Sequence, residues 1–384
     1  MTALAATGSI VACGLVFPTV LDGQGLADAA NAVVVTDVVV TLDAKEAGPP
    51  PPPTCAGYQP PLPPAEDSNT GVTYSFLNAV RTIYYNVPPD AGPELGFNLD
   101  NTCTCEDGGP PSCISRFDGG IFRQCDDPGG RDVSGNSILT LFDSYFQGAS
   151  AQGSINSQIS AGALTVLFVV ADYNGGPNDT SVVLTSFVSD GILGPDGKLV
   201  PPKWDGTDEW TVDVNTENGA TNKYDGGWVY SPQFLSTSGY VTNGVLVATI
   251  PEFVVNLGFG QLDISTITVT GTLVPMSGSW GLEGQVVGRA STHGVLSLLA
   301  NIADPFGGNS NLCGSDKTYR TIRQTLCEEA DILKNPSFDN TGATCDAISI
   351  AVGITANPAK FGPPYMANHA PPGCDGGVDD CESP

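Results

Sequence analysis

The spacing of apolar residues changes along the chain, and each spacing predicts an element. From residue 163 the runs are strand-like. ALTVLFVVA is a continuous apolar run of strand length, as expected for burial on both faces, and TSVVLTSFVS alternates at Val182, Leu184 and Val188. Further strands are predicted at EWTV, YVTNGVLVATI, EFVVNLG, LDISTITVTGTLV and EGQVVGRA, with CDAISIAVGITA returning to the sheet. The Asn243-Gly244 pair marks a hairpin, because both central positions of a type I′ turn need positive φ. Helical spacing relates Tyr74, Leu77, Val80, Arg81 and Tyr84 in GVTYSFLNAVRTIYY, and Ile138, Leu141, Phe142, Tyr145 and Phe146 in SGNSILTLFDSYFQ. Two more helices are predicted at STHGVLSLLANIADP and SDKTYRTIRQTLCEEADIL, the second with Tyr319, Ile322, Leu326 and Ala330 on a stripe. The expected fold is mainly β: an antiparallel β-sandwich or jelly-roll-like body, with a few peripheral helices and disulfide-stapled loops.

The same pattern divides the chain into parts. Residues 26–44 hold two valine triplets, and the proline run Pro49–Pro53 then cannot join a central sheet and reads as a polyproline II stalk. The expected parts are a truncated signal-peptide remnant (1–12), a lipid-anchored Pro-rich linker (13–70), a single β-rich domain (71–365) and an acidic Cys-containing tail (366–384). Ile10-Val11-Ala12-Cys13 has the form of a lipobox, in which the small residue precedes the cut and the Cys13 sulfur carries the lipid. Residues 1–12 lack Lys and Arg, so the expectation includes a signal peptide that starts upstream of Met1. The plainer reading is that Cys13 is a small hydrophobe in a first strand.

Cysteine usage supports export. There are 11 cysteines, an odd number, so pairing leaves at least one over. With Cys13 given to lipid, Cys55, Cys103, Cys105, Cys113, Cys125, Cys313, Cys327, Cys345, Cys374 and Cys381 remain for disulfides. Zinc is disfavoured by the spacing and by the presence of only His293 and His369. The expected grouping pairs the Cys103 to Cys125 set largely within itself, lets Cys313, Cys327 and Cys345 bind the late helix to the body, and joins Cys374 to Cys381. The net charge of −27 repels phosphate backbones, so nucleic acid is not an expected partner, and membrane contact is expected only through the lipid anchor.

Candidate chemistry is sparse. No nucleophile elbow, zincin motif, P-loop or dinucleotide fingerprint is present. Asp172, Asn174, Asn178 and Asp179 lie in DYNGGPND and offer hard oxygen donors for calcium, although the same composition makes an ordinary Asx turn and lacks the terminal glutamate of an EF-hand. In CDDPGGRD, Arg131 is placed to neutralise an acidic neighbour. In PPKWDGTDEWTVD, Trp204 and Trp210 bracket Asp205, Asp208 and Glu209, an arrangement that could stack a sugar and hold its hydroxyls, or plug the end of the β body.

Taken together, CDDPGGRD, DYNGGPNDTSV, PPKWDGTDEWTVD, YVTNGVLVA, TYRTIRQTLCEEADI and CDAISIAVGITA resemble a group of exported, cysteine-containing lipoproteins of myxobacteria and their relatives. The resemblance implies a lipobox start, a low-complexity linker and a cysteine-containing β-rich body, and it carries over no catalytic residue. The functional expectation is a cell-envelope surface lipoprotein, at the outer membrane or cell surface, that acts as a binding or structural module for an envelope glycan or protein. The alternative is a secreted carbohydrate-active hydrolase using paired carboxylates.

Overall fold

The structure is a computed structural model that describes residues 58–68, 71–85, 94–105, 109–116, 124–145, 150–219, 222–224, 227–256, 261–276, 278–299, 312, 317–366 and 381. The chain divides at Pro53 into two units, and everything described belongs to the second. Cys13, the valine segment, the proline run, Cys55, Cys313 and Cys374 lie outside the described residues.

Eight strands form one closed antiparallel barrel: β1 (Tyr74–Tyr84), β2 (Thr165–Tyr173), β3 (Asp179–Ser189), β7 (Phe234–Thr242), β8 (Val245–Asn256), β9 (Gln261–Met276), β10 (Ser279–Ser291) and β11 (Ala347–Pro358). Each pairs with the next in this order, and β1 pairs with both β2 and β11. Strands account for 45% of the structure and helices for 18%, so the mainly-β expectation holds. The sandwich or jelly roll does not, because the sheet has no edges. The source of that error is β1. Its aromatic and apolar residues fall at helical spacing, yet Tyr74, Phe76, Val80, Ile83 and Tyr84 are the β-branched and aromatic types that favour strands. Read as a helix, β1 leaves β2 and β11 as unpaired edges.

The barrel is filled, not hollow. One apolar cluster takes buried residues from all eight strands, among them Phe76, Phe168, Leu184, Phe234, Ile250, Ile267, Leu282 and Ile354. Facing apolar side chains inward is the reverse of a barrel that spans lipid. No helix among the described residues is long and apolar enough to cross a membrane. Close approach of β9 and β10 depends on Gly284, where a Cβ would lie 1.9 Å from the Thr270 carbonyl oxygen. The predicted hairpin forms between β7 and β8, with Asn243 at φ 52° and Gly244 at φ 81°.

Insertions between strands clothe the wall. Helices α1 (Ser134–Tyr145) and α2 (Ala151–Ser160) lie between β1 and β2, and α3 (Thr292–Leu299) and α4 (Lys317–Glu328) lie between β10 and β11. The predicted stripe of α4 is buried at Tyr319, Ile322 and Leu326 against Leu296, Leu299 and Ile138. Between β3 and β7 come β4 (Glu209–Asp213), β5 (Asn222–Tyr224) and β6 (Gly227–Val229). β4 pairs in parallel with β12 (Lys360–Tyr365), setting Phe361 beside Trp210. Residues 58–68 already contact the body, since Ser68 N donates to the Asn178 carbonyl at 2.8 Å.

Among the described residues three disulfides join pairs: Cys105–Cys125, Cys113–Cys345 and Cys327–Cys381. Cys103 is also disulfide-bonded, with its partner outside the described residues. The expected grouping therefore needs correction. Only Cys105–Cys125 closes within the early set, Cys113 reaches across 232 positions to Cys345, and Cys381 joins Cys327 instead of Cys374. Spacing cannot foresee this, because the closed barrel brings the loop before α1 against the segment entering β11.

Candidate functional site

The loop proposed for calcium folds as a self-satisfied turn. Asp179 accepts the Asn174 amide at 2.6 Å and the Ser181 amide at 3.1 Å, one on each carboxylate oxygen. Asn174 Oδ1 accepts the Gly176 amide at 2.7 Å, and Asn178 Oδ1 accepts the Asn243 amide at 2.9 Å. These side chains hold the β2–β3 connection and its neighbour hairpin, while Asp172 stands exposed at φ 62°. Their oxygens are occupied by backbone donors, as in an Asx turn.

The tryptophan loop is likewise built inward. Trp210 is fully buried, so it offers no face to a sugar, and Trp204 packs against it with ring centroids 5.6 Å apart. Arg81 lies over the Trp204 ring at 5.7 Å. Asp208 is buried and accepts the amides of Lys203 and Trp204, at 2.9 and 2.7 Å. Asp205 is exposed and accepts the Thr207 hydroxyl and amide, which hold its carboxyl below the usual range. The structure brings these four residues together as a plug over the β1–β2–β3 wall, with Phe187, Tyr230 and Phe361 completing it.

Two arrangements on the opposite wall carry more chemistry. The first is an open groove of about 510 Å³ between β8–β9 and the segment before β11, lined by Pro251, Glu252, Ser265, Lys334, Phe338 and Asp346 among others. Phe338, in the groove lining, is 56% exposed. Lys334 pairs with Asp263, and its backbone amide donates to Asp346 at 2.7 Å. A bulge in β9 at Thr266, φ 50°, turns Ser265 to the outer face opposite Arg289, where its hydroxyl donates to the Lys334 carbonyl at 2.6 Å.

The second is a polar network behind that groove. Arg289 is completely buried and donates to both carboxylate oxygens of Asp339, at 2.9 and 2.7 Å, and to the carbonyls of Leu333 and Leu99, at 2.7 and 2.6 Å. Asp331 accepts the Ser349 amide and hydroxyl, at 2.9 and 2.6 Å, yet burial outweighs these bonds and pushes its carboxyl up to about 6. Asp132 is 1% exposed, and burial first, then the charges of Asp100, Asp331 and Asp126, push it well above the usual carboxylate range. Arg131, next to it, points elsewhere: it lies 3.4 Å from Glu94 and 3.7 Å from Asp127, over the Tyr58 ring. That bears out its reading as the neutraliser of an acidic neighbour.

Sequence reasoning missed Arg289, Asp331, Asp339 and the groove. One signal was available, since Arg289 is a charge inside the apolar strand EGQVVGRA and needs a buried partner. The identity of that partner, 50 positions away, was not legible. Comparison with known proteins finds no matching family model, no matching curated protein and no matching solved structure.

Proposed function

We propose that this protein is a lipid-anchored module of the bacterial cell envelope, held at the outer membrane or cell surface through Cys13, and that it binds an envelope glycan or protein at the groove beside β8 and β9. The observation that carries the reading is the exposed ring of Phe338 beside Glu252, Lys334 and Asp346, a mixture of apolar face and hydrogen-bonding groups suited to a sugar or an extended peptide. The disulfides support an oxidising compartment, and resemblance to exported lipoproteins of myxobacteria points the same way. The filled barrel supports a rigid scaffold.

A glycan array probed with the exported protein and with Phe338→Ala tests the binding site. Retention of one glycan class by the wild type and its loss in the variant is the expected result, and equal retention by both would remove the groove from the account. The hydrolase alternative would have to use Glu252 and Asp346, the groove's carboxylates. Release of reducing ends from polysaccharide, abolished by Glu252→Gln or Asp346→Asn, would favour it. Mass spectrometry of the mature N-terminus is expected to show an acyl mass on Cys13.

A further inference from the structure

On the groove-side wall, two buried carboxylates each keep one oxygen without a hydrogen-bond partner. Asp100 is 2% exposed: its Oδ1 accepts the amide and hydroxyl of Thr102, both at 2.8 Å, and its Oδ2 has no partner. Asp132 Oδ2 accepts the Leu99 amide at 2.6 Å, and its Oδ1 has no partner. Asn98, two residues before Asp100, is 3% exposed, and its side-chain nitrogen donates to the Thr102 carbonyl at 2.6 Å. A carbonyl can only accept, so the nitrogen is fixed there and Asn98 Oδ1 is the third enclosed oxygen without a donor.

These oxygens belong to one compact piece of backbone. Asp132 N donates to the Phe97 carbonyl at 3.0 Å, which lays the Asp132 segment along residues 97–99. Gly130, at φ 72°, packs against the same place, where a Cβ would come within 2.8 Å of Asn98 Nδ2 and 2.9 Å of the Thr102 carbonyl oxygen. Among the described residues, Arg289 is committed to Asp339 and the Leu99 and Leu333 carbonyls, and Arg131 to the Leu95 and Pro128 carbonyls, with Glu94 and Asp127 near it. Buried anionic oxygens without donors are strongly unfavourable unless a proton or a cation satisfies them.

We propose that Asn98, Asp100 and Asp132 hold a calcium ion. The donor set is all oxygen, which suits a hard cation and not zinc or copper, and backbone carbonyls or water complete the six to eight ligands calcium takes. Among the described residues no three acidic, His or Cys side chains form a ready metal group. The site therefore has two charges plus neutral oxygens, a composition that places its affinity near ~0.1–1 mM, as in extracellular calcium modules. It stands apart from the Asp172 loop, where the Asn174, Asn178 and Asp179 oxygens accept backbone amides, and it is independent of what the groove binds.

The test uses the full chain at pH 7.5, stripped with EDTA. Calorimetric titration with calcium chloride is expected to show one ion bound per chain, and the melting temperature is expected to rise by roughly 2–6 °C at 10 mM calcium. Asp132→Asn and Asn98→Ala are expected to abolish that rise. Absence of binding heat from the wild-type chain up to 10 mM calcium would overturn the site, a result that does not depend on any variant folding. A thermal shift undiminished in Asn98→Ala and Asp132→Asn would also overturn it.

Discussion

The barrel wall is covered by two unlike materials. Over β1, β2 and β3 lies an aromatic plug: Trp210, Phe187, Tyr230 and Phe361, with Leu77, Ala79 and Leu167 beneath. Over β10 and β11 lies a charged network of Arg289, Asp339, Asp331 and Asp132, bounded by the Cys113–Cys345 bridge. Apolar burial is non-directional and indifferent to pH, whereas buried charges are favourable only with the right partners. One flank therefore has a stability set by area, and the other a stability set by protonation, pairing and cross-links.

The largest effects should come from removing the central residue of each flank. Arg289→Ala leaves Asp339 and two carbonyls unpaired and is expected to destabilise by about 3–5 kcal/mol at pH 7.5. Trp210→Ala opens a cavity of similar energetic weight, also about 3–5 kcal/mol. Denaturant unfolding at pH 7.5 and 5.0 separates them: the Arg289→Ala loss is expected to shrink on acidification as the stranded Asp339 takes a proton, and the Trp210→Ala loss to stay constant. Equal pH behaviour would break the distinction.

Next in size is the cross-link. The paired change Cys113→Ser with Cys345→Ser is expected to lower stability by about 2–5 kcal/mol. Proteolysis is expected to begin in residues 109–116, on the network side, and not in the β4–β12 plug. The smallest effect concerns Asp331, which Ser349 and Ser134 face as hydrogen-bond partners, and to which Asp132 and Glu329 are charge neighbours. Its carboxyl is raised from 3.8 to about 6, so the folded state holds the proton more tightly than the unfolded state. The stabilisation is present in full below pH ~4 and is lost as pH rises to ~6, on the order of 2–3 kcal/mol. Asp331→Asn should flatten that slope in urea midpoints measured from pH 4.5 to 7.

Legibility in the sequence followed the same division. Strand periods and the Asn243-Gly244 turn located β2, β3 and β7 to β11, because each is written locally in alternation and turn residues. Closure was not legible, since it depends on β1 pairing with β11 across the whole domain, and β1 carries apolar residues at helical as well as strand spacing. Helix α2, AQGSINSQIS, was also unforeseen: it buries only Ile159 and takes its start from the Ser150 cap. At the wall, the tryptophans were visible as a cluster because Trp204 and Trp210 are near in sequence. Arg289 meets Asp339 from 50 positions away, and Asp132 meets Asp100 within the β1–α1 insertion, at separations that no local period records.

The contrast between the flanks is tested most directly by native-state hydrogen exchange in EDTA at pH 5.0 and 7.5, corrected for intrinsic rates. The amides of Leu99 and Ser349 donate to Asp132 and Asp331, whereas the Thr211 amide, beside Trp210, donates to the Gly191 carbonyl at 2.9 Å. The opening free energies of Leu99 and Ser349 are predicted to fall as pH rises while that of Thr211 holds. Parallel changes at all three amides, or none at any, would contradict the account.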